Sequence, residues 1–211
     1  MKPFLHRLRQ IFTIVMASLG LTLPVNAAIF GNFGGTLEQA RKTEFFTWFH
    51  LQQAEAQSED GGQVVSFKPS GPKFQKLVTV KMVTTAGGRL KAMELVLLRS
   101  FVDSPADGIF ARDIAKSFLL AGLAAPRDRE TIDLIHEIQY RGASTMPVLR
   151  HKSVKEPRLP EKPTPGYLAY LGQQPSYEHQ VSGLLVRLKN TTQAGVSVLV
   201  VSIGSQRGKA G

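Results

Sequence analysis

Four histidines lie beyond residue 27 of this chain, His50, His136, His151 and His179, and imidazole is the side chain best suited to proton transfer near neutral pH. Two of them have acidic neighbours. His136-Glu137 follows Glu130 and Asp133, and Asp133 and His136 stand at i and i+3, close enough on one helix face to share a cation. The spacing is not HExxH, which would set two imidazoles and a base on one face. Charges so spaced also line the solvated face of an ordinary amphipathic helix. Glu178-His179, just before a predicted strand, would pair a carboxylate with an imidazole. A hydrolytic triad needs a positioned serine as well, and no GxSxG occurs. The residue pattern therefore assigns no catalytic residue, no metal and no cofactor.

The chain contains no cysteine, which removes thiol nucleophiles, CxxC redox pairs, thiolate zinc sites and c-type haem attachment. Gly31-Asn32-Phe33-Gly34-Gly35 lacks the Lys-Ser/Thr that follows a phosphate-cradling loop. Binding chemistry is better represented. Residues 147–165 hold five prolines and the basic residues Arg150, Lys152, Lys155, Arg158 and Lys162 against two acids. That composition predicts a long exposed loop, a candidate anion-binding surface. Beside it stand Tyr167, Tyr170 and Tyr177, whose rings could stack on sugars or bases. The alternative is that these tyrosines pack on the sheet edge and hold the loop down.

These residues need a scaffold, and its elements are partly legible. Thr36-Leu37-Glu38-Gln39 has capping-box spacing and opens a helix-like stretch carrying Leu37, Ala40, Phe45, Trp48 and Phe49. Residues 58–73, rich in glycine and proline, read as a loop or arm. Lys76 to Thr85 alternates, with Val78, Val80 and Met82 on one face, and Leu90 to Val102 resumes after Ala86-Gly87-Gly88-Arg89, the pattern of a hairpin. Phe110, Ile114, Ala115, Phe118 and Leu119 recur at three and four, with Gly122 as the expected helix end. A second helix is expected from Pro126, burying Ile132, Ile135 and Ile138, and ending at Arg141-Gly142. Gln180–Lys189 and Gly195–Gly204 form a second predicted hairpin across residues 190–194, and both hairpins contribute a nearly continuous apolar, central strand. The expected fold is α+β: an antiparallel sheet built from two hairpins, packed on one face by helices.

Met1 to Ala27 supply an address. Lys2, Arg7 and Arg9 precede the apolar run Ile11–Leu23, Pro24 breaks it, and Val25-Asn26-Ala27 suits signal peptidase. The run is shorter than the about 20 apolar residues of a spanning helix, although an uncleaved signal anchor is the competing reading. Residue 28 is not a lipid-accepting cysteine, and Leu8 separates Arg7 from Arg9, so neither a lipoprotein nor a twin-arginine leader fits. The expected organisation is a secretory leader over 1–27 and one domain over 28–211 with a flexible tail at 204–211. The 184 residues after the leader are enough for a real core. No later stretch is long and apolar enough to span a bilayer.

The whole chain carries +10, and because the leader holds three of the 26 basic residues and none of the 16 acidic ones, the remainder carries +7. Such a balance favours anionic partners, or simply solubility. The leading expectation is an exported, non-catalytic bacterial envelope protein, periplasmic or extracellular, that binds a partner protein or an anionic polymer or lipid surface. The rivals are an envelope hydrolase or other enzyme with an unrecognised site, and a secreted polyanion or nucleic-acid binder. Intact-mass measurement of the exported protein should find Ala28 at its start; a full-length product held in the inner membrane would make the leader an anchor.

Overall fold

The computed structural model describes residues 35–59, 61–123, 129–139 and 163–205. The leader, the glycine-rich residues 28–34, Pro126, Arg141-Gly142, the five basic residues between 150 and 162, and residues 206–211 lie outside the described residues. The elements run α1 (Leu37–Arg41), α2 (Glu44–Trp48), β1 (Leu51–Glu59), β2 (Gly62–Pro69), α3 (Pro72–Gln75), β3 (Val78–Thr85), β4 (Leu90–Leu98), α4 (Arg99–Val102), α5 (Gly108–Leu123), α6 (Arg129–Gln139), α7 (Pro165–Tyr170), β5 (Ser176–Val181), β6 (Leu184–Gln193) and β7 (Val196–Ser205). The strands form one antiparallel sheet in the order β1-β2-β3-β4-β7-β6-β5. The α+β architecture with a hairpin-built sheet is thus as expected, and helices pack on one face.

Strand periodicity sorts the two faces. Val80 opposes Leu95 and Leu95 opposes Val201, while Val186 opposes Ile203; all five are buried in the main core. α5 lays Ala111, Ile114, Ala115, Phe118 and Leu119 on them. Their neighbours Val96, Val198 and Val200 point the other way and form a separate small cluster with Leu98. The near-continuous apolar run of β7 suggests one core that takes in Val198 and Val200 with Val80, Leu95 and Phe118, but the buried residues form two clusters, one on each side of the sheet, because alternate residues of a central strand face opposite ways.

Several boundaries differ from the reading of the sequence. Residues 51–69, taken partly for a helix end and partly for a loop, form the β1–β2 hairpin. QQAEAQSE has no β-branched residue, and pairing with the Val64, Val65 and Phe67 strand makes it a strand. The run from Leu90 ends at Leu98, after which Arg99–Val102 is helical. Gly122 does not end α5; it lies in the last turn where a Cβ would collide with Ile203, so glycine permits close helix–sheet contact. Thr164 and Pro165, assigned to the long loop, cap and open α7. Gln180–Lys189 is two strands, with Ser182-Gly183 between them, and the β6–β7 turn is Ala194-Gly195 rather than 190–194. Ser182 and Ala194 have φ of 50° and 48°, with positive-φ glycine after each, which is the backbone of type I′ hairpin turns. In α6 the buried stripe is Thr131, Leu134, Ile135 and Ile138, so Ile132 turns outward.

One end of the molecule is held by aromatic rings. Phe67, Phe46, Phe45, Phe49, Phe110, Phe74 and Phe101 follow one another at centroid distances between 4.9 and 5.9 Å, and Phe118 meets Phe45 edge-on at 5.8 Å. This chain of contacts fastens the short helix α2, which is too brief to persist alone, onto α5 and the sheet. Phe118 is fully buried. Its replacement by alanine should cost about 3–5 kcal/mol and lower the melting temperature by about 10 °C or more. An unchanged thermal midpoint would show that the aromatic chain does not carry this end.

Candidate functional site

The half-buried polar groups nearest one another sit where α6, α7 and β5 meet. β5 pairs Tyr177 with Leu188 and His179 with Val186, both buried core residues, so the two side chains share the helix-covered face. The Tyr177 hydroxyl and His179 Nδ1 are 2.9 Å apart. Burial pushes the Tyr177 phenol above its ordinary range, and the hydrogen bond and negative charge of Glu137 push it further. Glu137 is carried in by α6, and Gly166 of α7 lies against both Glu137 and Tyr177. The Thr164 hydroxyl also donates to the Glu137 carbonyl and accepts from the Tyr167 N–H, so the start of α7 is tied to the end of α6.

The grouping Glu137–Tyr177–His179 replaces both pairs suggested by adjacency. Glu178 lies on the opposite sheet face, where it pairs with Arg187 at 2.7 Å. Asp133 and His136 lie on the solvated face of α6, with Arg129 Nε 3.7 Å from Asp133. Among the described residues no three of His, Asp and Glu come together as a metal site. The signal for the true grouping was present in the alternation of Tyr177, His179 and Val181, but Glu137 reaches it only through packing.

What this grouping can do follows from the phenol. A nucleophile must lose its proton easily, and Tyr177 holds its proton more tightly than free tyrosine. The contact orients an imidazole and fastens an edge strand to α6. It acts as a clamp.

Of the three tyrosines, Tyr167 and Tyr170 are buried and Tyr177 is half-buried, the packing arrangement rather than an open stacking platform. Tyr170 lies under Arg112, whose guanidinium is 5.9 Å from the ring centroid. Its hydroxyl and Arg112 Nε are buried without a hydrogen-bond partner among the described residues. Burial pushes the Tyr170 phenol up to about 12, against the pull of the Arg112 and Arg99 guanidiniums. The cations Arg150, Lys152, Lys155, Arg158 and Lys162 lie outside the described residues.

The two most exposed large apolar side chains, Trp48 and Ile109, are the chain neighbours of Phe49 and Phe110 at the aromatic end, a feature that hydrophobic periodicity alone does not separate from core. Trp48 is 68% exposed and Ile109 70% exposed, while Phe110 is 37% exposed with its ring against Phe49 and Phe74. No helix among the described residues is long and apolar enough to cross a membrane. Comparison of the chain with protein-family models, with curated proteins and with solved structures returns no match.

The fold favours neutral Tyr170, so its contribution is complete below about pH 10 and is lost as pH rises through about 12. That displacement is worth about 2–3 kcal/mol. Tyr170→Phe should leave the neutral-pH melting temperature unchanged or raised, because it removes an unpaired buried hydroxyl, and should flatten the stability loss between these pH values. A fall of several degrees at neutral pH would reveal a hydrogen-bond partner.

Proposed function

We propose that this chain is an exported, non-catalytic envelope module that binds a partner protein through its aromatic end. The supporting observation is the exposure of Trp48 and Ile109, the chain neighbours of Phe49 and Phe110, whose rings are in contact. Exposed large apolar side chains mark interaction surfaces, and aromatic anchors dominate the energy of protein interfaces. The leader at 1–27 supports export. The packing of Tyr177 and His179 against α6 and α7 supports a structural role for the most enzyme-like residues.

An anionic envelope component is the second reading. Thr164 bonds back to Glu137, so the chain returns beside its departure point after the stretch that carries Arg150, Lys152, Lys155, Arg158 and Lys162. That concentration of cations in sequence suits a polymer or lipid surface.

The test uses the chain's one tryptophan. A photo-crosslinking residue at position 48 or 109 should give a discrete protein adduct in the envelope, and one at exposed Lys91 should not. Trp48→Ala should remove the contact while changing stability by no more than about 0.5 kcal/mol, as exposed substitutions do. Salt-sensitive heparin binding that disappears when Arg150, Lys152, Lys155 and Arg158 become serine, with Trp48 emission unmoved and no adduct, would transfer the function to the basic segment.

A further inference from the structure

We infer that the groove between α2 and the edge of β1 receives an extended peptide segment of the partner protein, with a carboxylate at the Arg41–His50 end; this rests on the partner-binding reading above. The groove encloses about 480 Å³ and is lined by Arg41, Thr47, His50, Leu51, Gln53 and Phe67 among others. That volume falls within the range of ligand clefts, about 300–1,000 Å³. Its lining residue Thr47 is the chain neighbour of exposed Trp48.

Charge defines one end. The Arg41 guanidinium lies 5.3 Å from the Phe67 ring centroid and donates to the Gln53 side chain. Among the described residues no carboxylate is within ion-pair distance of it. A guanidinium positioned by an aromatic ring and a neutral amide retains donors for a carboxylate.

His50 supplies a second, independent observation. It is the residue after the C-cap of α2, with φ of 46°. Its N–H donates to the Thr47 carbonyl at 3.3 Å and its carbonyl accepts from Ser70 N at 3.1 Å. Glycine is the usual residue at a left-handed helix end because it adopts that backbone without strain. Among the described residues the other two non-glycine positions of positive φ, Ser182 and Ala194, belong to hairpin turns. Here the chain instead keeps an exposed imidazole on the groove wall.

The strand edge supplies the backbone contacts. Among the described residues β1 is bonded only to β2, which leaves the N–H and C=O groups of its other side open to strand addition. The register shifts between Gln53 and Glu55, so the regular edge beside the groove is Leu51 to Gln53. Beyond it, Glu55 and Glu59 repel acids. The charge gradient along β1 therefore places the ligand's carboxylate beside Arg41 and His50, and neutral or basic residues farther along. A second copy of this chain paired antiparallel about Glu55 would bring two Glu55 side chains together, which disfavours self-pairing.

The probes are two fluorescein-labelled seven-residue valine/threonine peptides with one glutamate at either end, and their glutamine counterparts, titrated into the exported chain. One glutamate peptide should bind at least fivefold tighter than its glutamine counterpart and shift the amide resonances of Leu51 to Gln53. Arg41→Gln should erase that preference. His50→Gly should weaken binding while keeping or raising the melting temperature, a combination that a purely structural histidine would not give. Equal affinity for glutamate and glutamine peptides, no binding at millimolar concentration, or shifts confined elsewhere would overturn the inference. A concentration-dependent dimer lost in Arg41→Gln would overturn it in favour of a second copy. If the Trp48 adduct persists in Arg41→Gln and His50→Gly, the partner-binding reading stands and the groove alone is excluded; if no adduct forms at 48 or 109, the broader reading falls first.

Discussion

The pairing of β4 with β7 is the contact on which the other layers hang. β1–β4 and β5–β7 are each built from strands adjacent in sequence, but Leu95 opposite Val201 and Leu97 opposite Leu199 join segments about a hundred residues apart. Such a seam carries the loop-closure entropy of everything between. Its apolar content matches that demand: Leu95, Leu97, Leu199 and Val201 are fully or almost fully buried. Arg99 completes the join just past the end of β4. Its guanidinium, 13% exposed, pairs with Asp103, donates to the Tyr170 and Leu171 carbonyls at 2.7 and 3.0 Å, and reaches Asn190 Oδ1 at 3.4 Å. Asn190 in turn donates to the Ala169 and Gln174 carbonyls. Two polar side chains thus satisfy the carbonyls at the end of α7 and tie it to β4 and β6, so the shielded charge has partners on several sides.

Where local preference and tertiary demand agree, the elements were legible in the sequence. The Thr36 capping box forms with both of its hydrogen bonds, and the alternation of Val78, Val80 and Met82 and the three–four spacing from Ile114 to Leu119 appear as read. β1 was not legible because its residues have weak strand preference and its burial pattern is exposed along nearly its whole length. The β5–β6 division was hidden by a two-residue turn at Ser182-Gly183, where serine at positive φ gives little warning. The helix at Arg99–Val102 was concealed by β-rich composition continuing past Leu98, where the chain turns to place Arg99 beneath α7.

The candidate sites divide along the same line. Adjacency paired Glu178 with His179, yet strand alternation sends them to opposite faces, and it is the two-residue step that brings Tyr177 to His179. Glu137 lies about forty residues upstream and joins them only because α6 packs over β5, a relation that no local spacing encodes. Tyr167 and Tyr170 show the converse: the aromatic spacing beside a basic segment admits both binding and packing, and burial of each selects packing. Trp48 reads as part of a helical apolar stripe, but α2 ends at that residue and the neighbouring phenylalanines already fill the interior.

The two sheet edges are treated by different physics, and the difference locates the accessible backbone. At β5 the side chains are engaged: Tyr177 and His179 face the helices, the Glu130 carboxylate of α6 accepts from the Ser182 N–H at 3.1 Å at the strand's end, and Glu178 is tied across to Arg187. At β1 the protection comes from a bulge and from Glu55 and Glu59, devices that discourage indiscriminate pairing without covering the edge. Both devices act after Gln53. The three residues before the bulge, Leu51 to Gln53, lie instead beside Arg41, His50 and the aromatic floor. An edge guarded along most of its length and left open where a cation and an apolar surface converge discriminates by charge position, since an acid is repelled at one end of β1 and attracted at the other.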